Sequence, residues 1–128
     1  MKSAYPIILT PTGSGYVVYV PDLDVNTEGG TLSEAIEMAS DAIGLCGVTL
    51  QDLGREIPPP STVLPPCQPG ESAAFALVDF DDYRKAHDQR TVRKNVTLPS
   101  YLNYLGEKAG LNFSQVFQEA LRQRLGVQ

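Results

Sequence analysis

Residues 90–128 read RTVRKNVTLPSYLNYLGEKAGLNFSQVFQEALRQRLGVQ, and the first nine of them set the architecture of the rest. Polar and apolar residues alternate there: Arg93, Asn95 and Thr97 share one face, Val92, Val96 and Leu98 the other. That is the period of a strand with one buried and one displayed face. Pro99 cannot donate to a ladder, so it ends the strand and opens a helix at its first turn. Two amphipathic helical patterns follow. Tyr101, Leu102, Leu105 and Ala109 form one stripe; Val116, Phe117, Ala120, Leu121 and Leu125 form the other. Gly110 is a natural residue just past the first helix, and Asn112 or Ser114 a natural cap for the second. A strand of about seven residues leaves its backbone groups without partners, and a module of about forty residues rarely folds alone. The obvious donor of a second strand is the same strand of a second copy. The pattern predicts a two-stranded antiparallel ribbon backed by four helices, with Val96, Leu98, Leu102, Leu105, Val116, Phe117 and Leu121 as the shared dimer core.

Charge divides the chain at the same place. The whole carries 10 Lys+Arg against 15 Asp+Glu, a net −5. From Arg90 onward Arg90, Arg93, Lys94, Lys108, Arg122 and Arg124 face only Glu107 and Glu119, a balance of +4, which leaves −9 on residues 1–89. A basic module on an acidic body implies partners of opposite character, and with the strand-helix-helix pattern the basic one points to nucleic acid.

The body reads as β-β-β-α-β, a small α+β arrangement over residues 1–79. Tyr5–Thr10 and Tyr16–Val20 are β-rich runs joined by PTGSG, with a third short strand from Val25 to Glu28. Thr31-Leu32-Ser33-Glu34 fits a capping box, and Leu32, Ala35, Ile36, Ala39, Ile43 and Cys46 make one helical stripe. Gly44 and Gly47 each weaken a helix by about 1 kcal/mol relative to Ala, so its end falls between Gly44 and Gly54. Residues 54–71 hold six of the ten prolines. A surface strap returning the chain to the sheet is the favoured reading, over a Pro-rich ligand for another domain. Ser72–Asp79 is a further strand, residues 80–90 a short helix or hinge, and residues 91–128 the second domain.

Catalytic chemistry finds little support. Asp22, Asp24 and Glu28 could form a carboxylate cluster with Asp79, but Asp22 and Asp24 sit in a PDLD turn, where Asp commonly bonds its own backbone. His87 is the only histidine, and Cys46 and Cys67 stand 21 residues apart with no CxxC partner, so neither a nucleophile-base pair nor a zinc site is expected. The glycines of TEGGT lack the spacing and Lys of a phosphate loop. No metal, cofactor or enzymatic activity is expected. Without a long apolar run or a signal-peptide core, the chain is expected in the cytoplasm, away from membranes.

Several segments resemble the HicB family of antitoxins. They are YP before an apolar strand, GYVV at Gly15–Val18, PDL at Pro21–Leu23, TEGGTLSEAIEMASDAI at Thr27–Ile43 and IPPPS at Ile57–Ser61. Their order and spacing carry the likeness, which covers nearly the whole chain. The family commonly has a Gly soon after the PDL turn; here Asp24-Val25-Asn26 stands in that place. The resemblance implies a partial RNase H-like body, without an intact active site, that blocks a small HicA-type ribonuclease toxin. VRKNVTLP looks like the ribbon-helix-helix variant of the C-terminal part, in which outward strand positions enter the major groove. That assigns base contacts to Arg93, Asn95 and Thr97, and an inward place to Lys94, where an apolar residue is usual.

Arg93 suits guanine, Asn95 adenine, and Thr97 a base edge or thymine methyl. Free N–H groups at Asn112, Phe113 and Ser114 would hold a phosphate, positioning the ribbon without reading sequence. Two-fold symmetry implies a palindromic operator. The expected protein is therefore an antitoxin that binds a HicA-type toxin and represses its own operon on double-stranded operator DNA, as a homodimer or tetramer. The alternative is a stand-alone ribbon-helix-helix regulator whose body senses a ligand or oligomerises.

Overall fold

A computed structural model describes residues 2–128. In chain order they form β1 (Lys2–Thr12), β2 (Gly15–Val20), β3 (Val25–Gly29), α1 (Leu32–Asp52), β4 (Ser72–Asp79), α2 (Phe80–Ala86), α3 (Ser100–Lys108) and α4 (Phe113–Leu125). The chain is mixed α+β, and it divides into two compact units, one ending at Gln89 and one running from Arg90 to Gln128.

The first unit is a four-stranded sheet in the order β3-β2-β1-β4, antiparallel throughout. The β1-β2 hairpin closes at Gly13-Ser14, with Thr12 opposite Gly15 and Ile8 opposite Tyr19. β1 is longer than its apolar run because its other side pairs with β4, from Lys2 opposite Asp79 to Leu9 opposite Ser72. Alternate residues of the strands face α1: Tyr5, Ile7 and Leu9, Val18 and Val20, Ala76 and Val78 meet Ala35, Ala39 and Ile43 in one buried cluster. Burying each larger side chain of this set contributes roughly 1.5–3 kcal/mol. Thr31 caps α1, its side chain accepting from the Glu34 N–H at 3.2 Å.

α1 runs on to Asp52, through both Gly44 and Gly47. The reason lies in α2. A Cβ at Gly44 would run into the Tyr83 ring, and one at Gly47 into the Phe80 ring. The two glycines form the flat seat on which α2 rests. Phe80 also meets Tyr5 edge-on at 6.2 Å between ring centroids. Asp79 caps α2, accepting from the N–H groups of Asp81 and Asp82, both at 3.1 Å. Those bonds, that of Asp82 foremost, hold the Asp79 carboxyl below its ordinary pKa. Burial raises the pKa of Tyr83, with Asp41 adding to it. The segment expected as a short helix or hinge is the helix α2, packed on α1, and the first unit runs to residue 89 because aromatic side chains from α2 complete the α1 surface.

Residues 55–71 form a strap without helix or strand. The Tyr5 hydroxyl donates to the Pro58 carbonyl at 2.6 Å, and burial pushes its pKa up, Asp22 and Cys46 adding to the effect. Asp22 accepts from the Ser61 N–H at 2.7 Å and from the Ser61 hydroxyl at 2.8 Å. Asp22 thus clasps a distant segment rather than its own turn. Asp24 has φ 53°, the left-handed conformation that Gly adopts freely and Asp tolerates. Its carboxylate accepts from the Tyr19 hydroxyl at 2.9 Å, and this bond raises the Tyr19 pKa.

Candidate nucleic-acid interface

The second unit contains α3 and α4, preceded by a segment, residues 88–99, with no regular secondary structure. Within the single chain the expected strand finds no ladder, so Arg93, Asn95 and Thr97 lie on an exposed, unpaired stretch. Its polar-apolar alternation remains, but among the described residues no strand pairs with it.

Pro99 precedes the first helical residue, Ser100, with φ −57°, as a proline at a helix start requires. α3 ends at Lys108; Gly110 follows with φ 73°, which allows the chain to turn sharply toward α4. Asn112 caps α4, its side-chain oxygen accepting from the Gln115 N–H at 3.1 Å. The other early N–H groups of the helix, those of Phe113 and Ser114 among them, have no partner one turn earlier in the helix, which is the arrangement that accepts an anion. α4 closes on Gly126, left-handed at φ 68°, with the Arg122 and Gln123 carbonyls receiving its N–H.

One residue of the predicted phosphate site has a second duty. The Phe113 ring lies against Gly106, where any Cβ would collide with it, and Gly106 is the buried residue of α3. The sequence stripe missed this contact because a glycine does not register in an apolar pattern. Lys108 stands over the Tyr104 ring, 5.8 Å from its centroid.

The predicted dimer-core residues share one property: none is buried. Val96, Leu98, Leu102, Leu105, Val116, Phe117 and Leu121 are between 39% and 58% exposed. A unit of this size that leaves its apolar stripes open has no core of its own. In the first unit, Asp22 and Asp24 are engaged by Ser61 and Tyr19, and among the described residues no group of three or more His, Cys, Asp or Glu is placed to hold a metal ion. Among the described residues no helix is long and apolar enough to cross a membrane.

Solved structures that resemble this one include three antitoxin or toxin-antitoxin structures. A toxin-antitoxin complex from Streptococcus pneumoniae aligns with TM-score 0.57 at 24% identity, over 97% of this chain and 99% of that one, which shows a shared fold. The antitoxin HicB of Burkholderia pseudomallei aligns at 25% identity, over 96% and 98% of the two chains, with TM-score 0.46. Antitoxin HicB3 aligns at 23% identity, over 95% and 97%, with TM-score 0.49. No curated protein matches the sequence. Residues 5–108 match the family model described as HicB_like antitoxin of bacterial toxin-antitoxin system, from the first core strand to the end of α3. The chain belongs to the HicB-like antitoxin family.

Proposed function

We propose that this antitoxin binds and neutralises a small HicA-type mRNA-cleaving toxin through the unit ending at Gln89, and represses its own operon through residues 90–128. In this reading the body is a partial RNase H-like fold with no catalytic role. The C-terminal unit is a ribbon-helix-helix module: residues 91–98 of two copies pair, α3 and α4 of both pack beneath them, and the whole works as a dimer or tetramer. Arg93, Asn95 and Thr97 then face the major groove, while the start of α4 at Asn112–Ser114 takes a phosphate.

The observation that carries this reading is the open apolar face of the second unit together with its unladdered segment. Both are completed by one event, the pairing of two copies. The charge split supports the division of labour. A ribonuclease must attract RNA and so has a basic surface, which a body at −9 approaches with electrostatic steering; the module at +4 suits DNA phosphates.

Leu121→Asp in the full chain tests it. The substitution buries an unpaired carboxylate in the proposed dimer core, at a cost of several kcal/mol, yet leaves the body untouched. The variant should sediment as a monomer, fail to shift operator DNA at any salt, and still restore growth to cells expressing the neighbouring toxin gene. Retained operator binding by a monomer would refute the ribbon assignment. Failure of the wild-type chain to restore growth, with operator binding intact, would favour the stand-alone regulator.

A further inference from the structure

In the order β3-β2-β1-β4, β4 has one neighbour, and among the described residues no strand lies on its far side. Protected edges are short, charged, bulged or interrupted by proline. Ser72–Val78 reads SAAFALV, with none of those residues, and its ladder with β1 continues without a bulge from Leu9 opposite Ser72 to Lys2 opposite Asp79. Ala74, Ala76 and Val78 face α1, so Phe75 and Leu77 stand on the opposite side, 41% and 62% exposed. Beside this edge an open cleft of about 440 Å³ runs between α1 and α2. Its lining is mostly apolar, with Leu77, Val78 and Tyr83 contributing, and Asp41, Asp79 and Asp82 border it.

We infer that the outer edge of β4 is the docking site for an extended, basic segment of the toxin, which adds to the sheet as a fifth strand. This deepens the toxin-binding reading above and rests on it. Backbone groups along Ala73–Val78 supply main-chain hydrogen bonds, and the alternating pockets on the two sides of the strand select side chains. An apolar side chain of the incoming segment fills the cleft, and a Lys or Arg beside it meets the carboxylates of Asp41 and Asp82. Charge decides between a toxin and a second copy of this chain. Two bodies at −9 repel, and Ser72–Val78 brings no cation to answer the carboxylates at the border. A basic ribonuclease satisfies both the edge and its border.

The test uses the full-length antitoxin with the HicA-type protein encoded beside its gene, purified alone and as the complex. Hydrogen exchange of those Ala73–Val78 amides that point away from β1 should slow at least ten-fold in the complex relative to the free antitoxin. Leu77→Lys, on an exposed side chain, should weaken the complex at least ten-fold, while Val63→Lys, on a strap residue 75% exposed, should leave it within two-fold. If the wild-type complex forms but those amides exchange as in the free antitoxin, the inference is overturned and the toxin-binding reading stands. If the two wild-type proteins do not bind at all, both fail. Protection of the same amides that grows with the concentration of antitoxin alone would assign the edge to a second copy and overturn the inference.

Discussion

Replacing Gly47 by Ala separates what a helix prefers from what this helix must do. Propensity alone favours Ala in a helix interior by about 1 kcal/mol. The packing opposes it, because the new methyl would occupy the volume of the Phe80 ring. Forcing extra volume into a packed contact costs typically 1–3 kcal/mol. Set against the propensity gain, the net is a destabilisation of about 1 kcal/mol. In a unit of this size that lowers the thermal midpoint by roughly 4–8 °C. Gly44→Ala meets the Tyr83 ring in the same way, whereas Gly13, with open space around its Cβ position and no left-handed φ, should accept Ala almost silently. Urea titrations of the full chain, followed by circular dichroism, supply the comparison. The decisive measurement is a double-mutant cycle. On a Phe80→Ala background the obstruction is gone, so Gly47→Ala should change sign and stabilise by up to about 1 kcal/mol. A Gly47→Ala protein more stable than wild type on the native background would refute the docking of α2 on α1.

Truncation should follow the same logic: a chain ending at Gln89 keeps a cooperative unfolding transition, while one ending at Asp79 loses the Phe80 and Tyr83 burial and melts at a clearly lower temperature by calorimetry. Arg93→Ala should weaken specific DNA binding by about 1–3 kcal/mol and relax selectivity at one operator position, read by selection on randomised operators. Asn112→Ala should destabilise α4 by about 1 kcal/mol and lower affinity with base preference unchanged. Because the folded-state pKa of Asp79 is depressed, its contribution is present above the ordinary carboxylate value near 3.8 and disappears as pH falls through the folded value. The stability gap between wild type and Asp79→Ala should hold constant from about pH 5 to pH 6.5 and close below about pH 4 in denaturant titrations.

Periodicity made the strands of the body legible, and Ser72–Asp79 has the same bounds in the sequence reading and in the structure. The Thr31 cap was legible because a capping box is a local signal. Features that depend on distant partners were not. Gly44 and Gly47 looked like helix weaknesses, since their purpose is set by rings more than thirty residues away. Asp22 looked like a turn residue or part of a metal site because Ser61, which it holds, lies 39 positions downstream. The stripe of α4 and the alternation at 92–98 were legible as patterns, yet the single chain leaves the stripe half-exposed and the alternation outside any strand. Gly106 escaped notice for the reason Gly47 did: what matters there is the missing side chain.

The placement of β1 between β2 and β4 carries a consequence for synthesis. Its β2 partner follows immediately, but the other side pairs with residues 72–79, which the ribosome adds last of all the sheet. At about 5–20 residues per second, roughly 3–13 s separate the end of β1 from the end of β4. Throughout that interval the strand that supplies Tyr5, Ile7 and Leu9 to the core has an open edge, and non-local pairing of this kind is slow even once its partner exists. Slower translation through the proline strap would lengthen the exposure. The newborn antitoxin is therefore most prone to aggregate or be cut before residue 79 emerges, and its supply depends on how quickly that stretch of message is read.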